Sequence, residues 1–302
     1  MSRAQLAPQP AKPAPESAPA AAERKPREAA SPWREEGRSR RFLGMRVDGT
    51  SYAEASDAIL ERAARGAGGR VCVATVHMVM EAFDDPGFQR LVNGAELVTA
   101  DGMPLVFGLR ALGVRGASRV YGPALLGLVC RRAERAGLAV GFYGGRPEVL
   151  EELVRRTRAR FPRLRIAFFA SPPFRALDPE EERAAIEAVE ASGAQILFVG
   201  LGCPNQERWM ARHREALSCV LVGVGAAFDF LAGALPQAPA GLQRAGLEWL
   251  FRLACEPRRL WRRYLLGNPR FALHFARQLL RHWSAILSGA VAPTRPTPGG
   301  SA

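Results

Sequence analysis

Residues 195–207, QILFVGLGCPNQE, pass from an apolar run into glycines and then into Pro204, Asn205, Gln206 and Glu207. An apolar strand, a glycine turn and polar residues opening a helix form the unit from which open α/β sheets build ligand sites. Glycines let backbone N–H groups approach an anion at the helix N-terminus. The stretch therefore reads as strand, crevice loop and helix start, with Gly202 and Gln206 at a candidate phosphate site. Its spacing is wrong for a dinucleotide fingerprint, because Gly200-x-Gly202 has Asn205 where the third glycine belongs and Gly223-x-Gly225 has Phe228. The chain also lacks G-x-x-x-x-G-K-[ST]. A nucleotide would have to be held in another way, and no cofactor is expected.

Outward from this stretch the same alternation recurs. Strands are expected over residues 71–74, 97–99, 139–143, 165–169, 195–200 and 219–224, with helical patterns between them. Residues 147–160 carry proline in the first turn, and residues 179–191 begin with acids, as helix starts do. The pattern predicts the α/β class: a mostly parallel, Rossmann-like sheet covered by helices on both faces. In such sheets the ligand crevice lies beyond the carboxyl ends of the strands. Thr75, His77, Asp101, Gly102, Gly144, Gly145, Gly202, Gln206, Gly225 and Asp229 fall there. Four segments are expected: a disordered leader over 1–40, an α/β core over 41–240, a basic helical appendage over 241–290 and a disordered tail over 291–302. The leader holds seven prolines and no apolar signal-peptide core.

The chain has 302 residues, 48% of them apolar, which suffices for a sizeable core. Its net charge of +13 is concentrated at one end: residues 241–302 carry ten Arg against two acids. A local anionic partner fits this better than a nucleic acid coated along the whole chain. Forty of the 42 cations are arginine, the residue suited to bidentate phosphate contacts, although a compositional bias of the genome would produce the same count. The five cysteines form no C-x-x-C pair and read as reduced core thiols of a cytosolic protein. No apolar run reaches the length of a membrane span.

Asp101 follows a short strand and precedes a glycine, so its carboxylate can project into the crevice as a general base or cap the following helix. Asp229 and His77 carry the same ambiguity between chemistry and structure. The chain contains no D-x-D and no His/Cys cluster, so a metal site is not expected. Leaving-group charge then falls to arginine or to backbone donors. Arg259, Arg262 and Arg263 lie at i, i+3 and i+4 after Pro257, a one-sided cationic face that is either solvated or anion-binding. Phe271, Phe275, Leu279, Trp283 and Leu287 recur every four residues, as in an interfacial amphipathic helix or a helix packed on its own core.

Several short motifs occur in one order: T-x-H at 75–77, ADG at 100–102, R-V-x-G at 119–122, FYGG at 142–145, GLGCPNQE at 200–207, GVGAAFD at 223–229, GLEWLFRL at 246–253 and EPRRLWRRYL at 256–265. This order resembles the WecG/TagA/CpsF family of bacterial glycosyltransferases, over about residues 42–271. The resemblance implies transfer of an N-acetylmannosamine-type or glucose-type sugar from UDP to a polyprenyl-diphosphate-linked glycan, by inversion and without a metal. By position it implies Asp101 as the catalytic base, with Thr75 and His77 near the acceptor and donor sugar and Arg119 and Gln206 as pocket residues. Arg252, Arg259 and Arg262 would close over the diphosphate. The arginine excess of residues 241–302 together with the stripe from Phe271 to Leu287 leads to the expectation of a protein held peripherally on the cytoplasmic face of the inner membrane by an anionic lipid surface, where a polyprenyl-linked acceptor lives. His77 stands where the family usually has Asn, Asn205 where it has Lys, and Gln237 where an arginine is common, departures that touch donor identity more than reaction class. A non-catalytic nucleotide-binding regulator would share the glycine loops but leave Asp101 and the basic end without a role. A nucleic-acid binder would leave the crevice without one.

Overall fold

A computed structural model describes residues 37–239, 241–242 and 246–288. The expected tail, and the expected leader up to residue 36, lie outside these. The strands are β1 (Ser39–Phe42), β2 (Met45–Asp48), β3 (Gly69–Ala74), β4 (Leu97–Ala100), β5 (Val140–Gly144), β6 (Ile166–Ala170), β7 (Ile196–Gly200) and β8 (Val220–Gly223). They form one sheet in the order β1-β2-β4-β3-β8-β7-β5-β6. Every pairing is parallel except β1 with β2. Six strands coincide with those expected. The hairpin β1–β2 does not: it occupies residues assigned to the leader and the start of the core, and its strands SRRF and MRVD show no apolar run. Its two-residue turn, Leu43 and Gly44, has φ of 51° and 96°, as the right-twisted hairpin demands, yet leucine gives no turn signal. The turn is held from outside. The Leu43 N–H donates to Gln278 Oε1 at 2.9 Å, and its carbonyl accepts from Gln89 Nε2 at 3.1 Å.

Helices α1 (Tyr52–Ala64), α2 (Val76–Asp84), α3 (Pro86–Asn93), α4 (Met103–Ala111), α5 (Gly122–Ala136), α6 (Pro147–Arg160), α7 (Pro179–Ser192), α8 (Asn205–Arg212) and α9 (Ala227–Ala232) connect or follow the strands. Alternate residues of a strand face opposite sides. Val71, Val73, Phe142, Phe198 and Val222 therefore join the core under α1, α5, α6 and α9, while Cys72, Ala74, Val98, Leu197 and Leu221 join the core under α2, α3, α4 and α8. The sheet is thus covered on both faces, as predicted. The chain moves from β3 to β4 on one side and from β5 to β6 on the other, which leaves the crevice between the two halves.

Beyond the sheet come α10 (Glu248–Cys255), α11 (Pro257–Trp261), a π-helical turn over Arg262–Gly267 and α12 (Asn268–Leu287). The apolar stripe of α12 divides its two expected roles. Phe271 and Phe275 are buried; Phe275 stacks on Phe42 of β1 with centroids 4.9 Å apart. Gly108 of α4 makes room, since a Cβ there would meet the Phe42 ring at 2.4 Å and the Phe275 ring at 2.8 Å. Leu279 packs against the same core, but Trp283 and Leu287 are 49% and 89% exposed. Gln278 donates to the Arg41 carbonyl at 2.6 Å, and past Leu279 the stripe faces outward. Among the described residues no helix is long and apolar enough to cross a membrane.

Candidate active site

The carboxyl ends of β3, β4, β5, β7 and β8 open into a cavity of about 760 Å³, roofed by α11 and the π-helical turn. Thr75, His77, Asp101, Gly145, Gly202, Gln206, Asp229, Arg252, Arg259 and Arg262 all line it. Its size falls in the usual range for small-molecule sites. A second cavity of about 110 Å³ adjoins it, sharing Thr75, His77, Asp101 and Arg252 and adding Arg119. Gly144 lines neither. With φ of 117°, it brings β5 against β7 so closely that a Cβ would sit 2.7 Å from the Gly200 carbonyl carbon.

Asp101 does not cap α4, whose N-cap is Gly102 without a side-chain bond. Its carboxylate instead accepts from Arg119, Nη2 to Oδ1 at 3.0 Å. Arg119 Nε also donates to the Asp101 carbonyl at 2.5 Å, and Nη2 reaches Glu248 Oε2 at 2.7 Å. Burial pushes the Asp101 carboxyl up, Arg119 pulls it down and Glu248 pushes it up again; the net direction is upward. A carboxylate whose pKa is raised in this way is a stronger proton acceptor than an ordinary one.

His77 sits in the first turn of α2. Burial, and then the Arg263 guanidinium, push its imidazole down to about 4, so it is neutral at physiological pH. It can therefore offer the uncharged hydrogen bonding of an asparagine. Thr75, the N-cap of α2, makes no capping bond; its hydroxyl accepts from Arg263 Nη2 at 3.2 Å. Gln206 is buried and ties two crevice loops together, accepting from the Gly225 N–H at 3.0 Å and donating to Glu207 Oε1 at 2.7 Å. Asp229 faces Arg146 at 3.9 Å, and burial pushes its carboxyl up against the pull of Arg146 and Arg259.

The roof carries the positive charge. Arg146, Arg252, Arg259, Arg262, Arg263 and Arg270 line the large cavity against four acids, Glu81, Asp84, Asp101 and Asp229. Arg252 lies over the Phe230 ring, and Arg259 bonds Glu256 at 2.6 Å. Nε of both Arg252 and Arg263 is buried without a hydrogen-bond partner. Burial pushes the Arg263 guanidinium down. Two such cations beside one cavity are donors arranged for an anion. Among the described residues no group of three or more His, Cys, Asp and Glu is placed to hold a metal ion.

Residues 40–285 match the Glycosyl transferase WecG/TagA/CpsF family. The chain belongs to this family. It is 30% identical over 205 residues, 68% of this chain and 77% of the relative, to the N-acetylglucosaminyldiphosphoundecaprenol N-acetyl-beta-D-mannosaminyltransferase of Bacillus spizizenii. The protein is accordingly a glycosyltransferase.

Four residues of this glycosyltransferase's site had not been assigned a role from sequence. Arg263 was one member of a cationic face, and nothing in the face showed that it alone reaches Thr75. Glu248, Tyr121 and Arg146 come from different segments: Tyr121 lines both cavities, Glu248 the small one and Arg146 the large one. For Glu248 and Tyr121 the available signal was position inside the GLEWLFRL and R-V-x-G motifs. Arg146, directly after FYGG, could have been found as a crevice cation at the carboxyl end of β5.

Proposed function

We propose that this glycosyltransferase moves a sugar from UDP to a polyprenyl-diphosphate-linked glycan in bacterial surface polysaccharide biosynthesis. The observation that carries the reading is that one cavity is lined both by the Asp101 carboxylate and by Arg252 and Arg263, whose buried Nε atoms have no hydrogen-bond partner. The named activity of the Bacillus spizizenii relative supports an N-acetylmannosaminyl donor and an N-acetylglucosaminyl diphosphate acceptor. In the proposed step Asp101 takes the proton of an acceptor hydroxyl while that oxygen bonds to the anomeric carbon. The bond from that carbon to the diphosphate oxygen breaks on the opposite face, which inverts the configuration. UDP leaves with the bonding electron pair, its charge met by Arg252, Arg259, Arg262 and Arg263. Thr75 and neutral His77 lie between the two cavities, where donor and acceptor sugars would meet. Gly145, Gly202 and Gln206 shape the donor side, and Arg119 holds Asp101.

The exposed Trp261, Leu265, Leu266, Leu280 and Trp283 beside exposed arginines support a peripheral seat on an anionic membrane, the surface where a polyprenyl acceptor resides. The test is UDP release from UDP-N-acetylmannosamine with a short-chain N-acetylglucosaminyl diphosphate lipid. Asp101→Asn should lower turnover by ~10²-fold or more while UDP affinity is retained. Near-normal turnover in that variant would remove Asp101 from the mechanism, and acceptor-independent UDP release would remove the transferase reading of the second cavity.

A further inference from the structure

Arg119 is shared between two carboxylates that arrive from distant parts of the chain. Asp101 follows β4, whereas Glu248 opens α10, 129 residues beyond Arg119 in sequence. All three side chains are largely shielded, 19% exposed for Arg119, 16% for Asp101 and 13% for Glu248. The guanidinium is held on three sides: by the Asp101 carbonyl, by the Asp101 carboxylate and by Glu248 at 2.7 Å. It also lies 4.5 Å from the centroid of the Tyr121 ring. Besides Arg119 and Glu248, the titratable groups around Asp101 are the phenols of Tyr52 and Tyr121, both pushed up by burial and so neutral, neutral His77, and Arg263.

An Arg paired with a single Asp ordinarily depresses that Asp by 1–3 pH units and makes it a poor base. Glu248 counters this by drawing part of the same guanidinium's charge to itself and by adding a like charge near Asp101. We propose that Glu248 is a positioning residue for the Asp101 base: it fixes the Arg119 plane and offsets the Arg119 charge, so that seating α10 readies the base. The same helix carries Arg252 one turn on, facing the large cavity. One docking event thereby supplies both a cation for the leaving diphosphate and a competent base.

This inference rests on the reading of Asp101 as base, and the experiment separates the two. The pH profile of kcat/KM is measured for the full-length wild type, Glu248→Gln, Glu248→Asp and Asp101→Asn, with UDP affinity and thermal unfolding recorded for each. Activity in the wild type rises with pH as Asp101 ionises. In Glu248→Gln the Arg119 charge falls on Asp101 alone, so the acid limb moves to lower pH by about 0.5–1 unit. The plateau falls by roughly 3- to 10-fold because the base is weaker, with UDP affinity near wild type. Glu248→Asp keeps the charge at a longer reach and gives a limb between the two. A limb at the wild-type pH in folded Glu248→Gln overturns the proposal. Should that variant not fold, Glu248→Asp decides alone, displacement to lower pH supporting the proposal and an unmoved limb overturning it. If instead Asp101→Asn keeps both turnover and acid limb, the base itself is misassigned, whatever the Glu248 variants do.

Discussion

Arg263→Met separates the cost of holding a cation in the roof from its value to the ligand. Among the described residues Arg263 Nε has no hydrogen-bond partner, and Nη2 donates to Thr75 Oγ1 at 3.2 Å. Losing that bond costs about 1 kcal/mol, and removing a poorly compensated buried charge returns a similar amount. The unliganded melting temperature should therefore change little or rise. Toward UDP the sign reverses. A charge-assisted hydrogen bond to phosphate is worth about 1.5–3 kcal/mol, which weakens UDP binding by roughly 10- to 150-fold when it is lost. The exposed Arg262, and Arg259, which is 57% exposed and already paired with Glu256, should each matter less than about 5-fold. Calorimetric titration with UDP, alongside thermal unfolding without ligand, reads both quantities. A UDP affinity within about 2-fold of wild type for Arg263→Met would refute the account of the roof as the diphosphate site.

Two further outcomes are expected. If arginines rather than a metal ion meet the leaving charge, as proposed, turnover should survive chelation; loss in EDTA with recovery on adding Mg²⁺ or Mn²⁺ would contradict this. Leu280→Glu with Trp283→Glu should weaken sedimentation with anionic vesicles while sparing turnover on a short soluble acceptor, since both side chains are exposed and lie past the last contact of α12 with the hairpin. Unchanged sedimentation would move the membrane seat elsewhere.

What the sequence made legible follows from what each feature depends on. β7 and β8 were readable because both faces of a central parallel strand are buried, so ILFV and VLVG are apolar throughout. The hairpin β1–β2 was not, because the edge strand β1 tolerates Arg40 and Arg41, Arg46 of β2 is paired with Asp48, and the turn depends on Gln278 and Gln89, which no local pattern contains. In the site, glycine turns and strand ends located Thr75, Asp101 and Gly202, since backbone geometry is a local property. Sequence could not show that Arg119 would spend its guanidinium on Asp101 and Glu248, because that is a tertiary contact across 129 positions. The stripe of α12 was ambiguous for a related reason: period 3.6 marks an apolar face without saying whether protein or lipid covers it, and the protein covers one half.

The division of α12 bears on how the roof works. Its first half is anchored by Phe271 and Phe275 on Phe42, so the end of the appendage is fixed to the sheet. The stretch before it is thinly held: α10 has no fully buried residue, α11 buries Leu260 alone and the π-helical turn buries Tyr264 alone. That stretch also carries Arg252 and Arg263, whose buried Nε atoms have no hydrogen-bond partner. Weak packing and uncompensated charge together put this segment among the least stable parts of the fold. On the proposed reading a diphosphate would bond these atoms only when the segment is seated, so donor binding would favour the seated state. At a donor concentration of about 100 times Kd that contribution is about 2.7 kcal/mol. Because Glu248 belongs to the same segment, a donor that consolidates the roof would, on the proposed reading, also complete the surroundings of Asp101 and ready the base when there is a sugar to transfer.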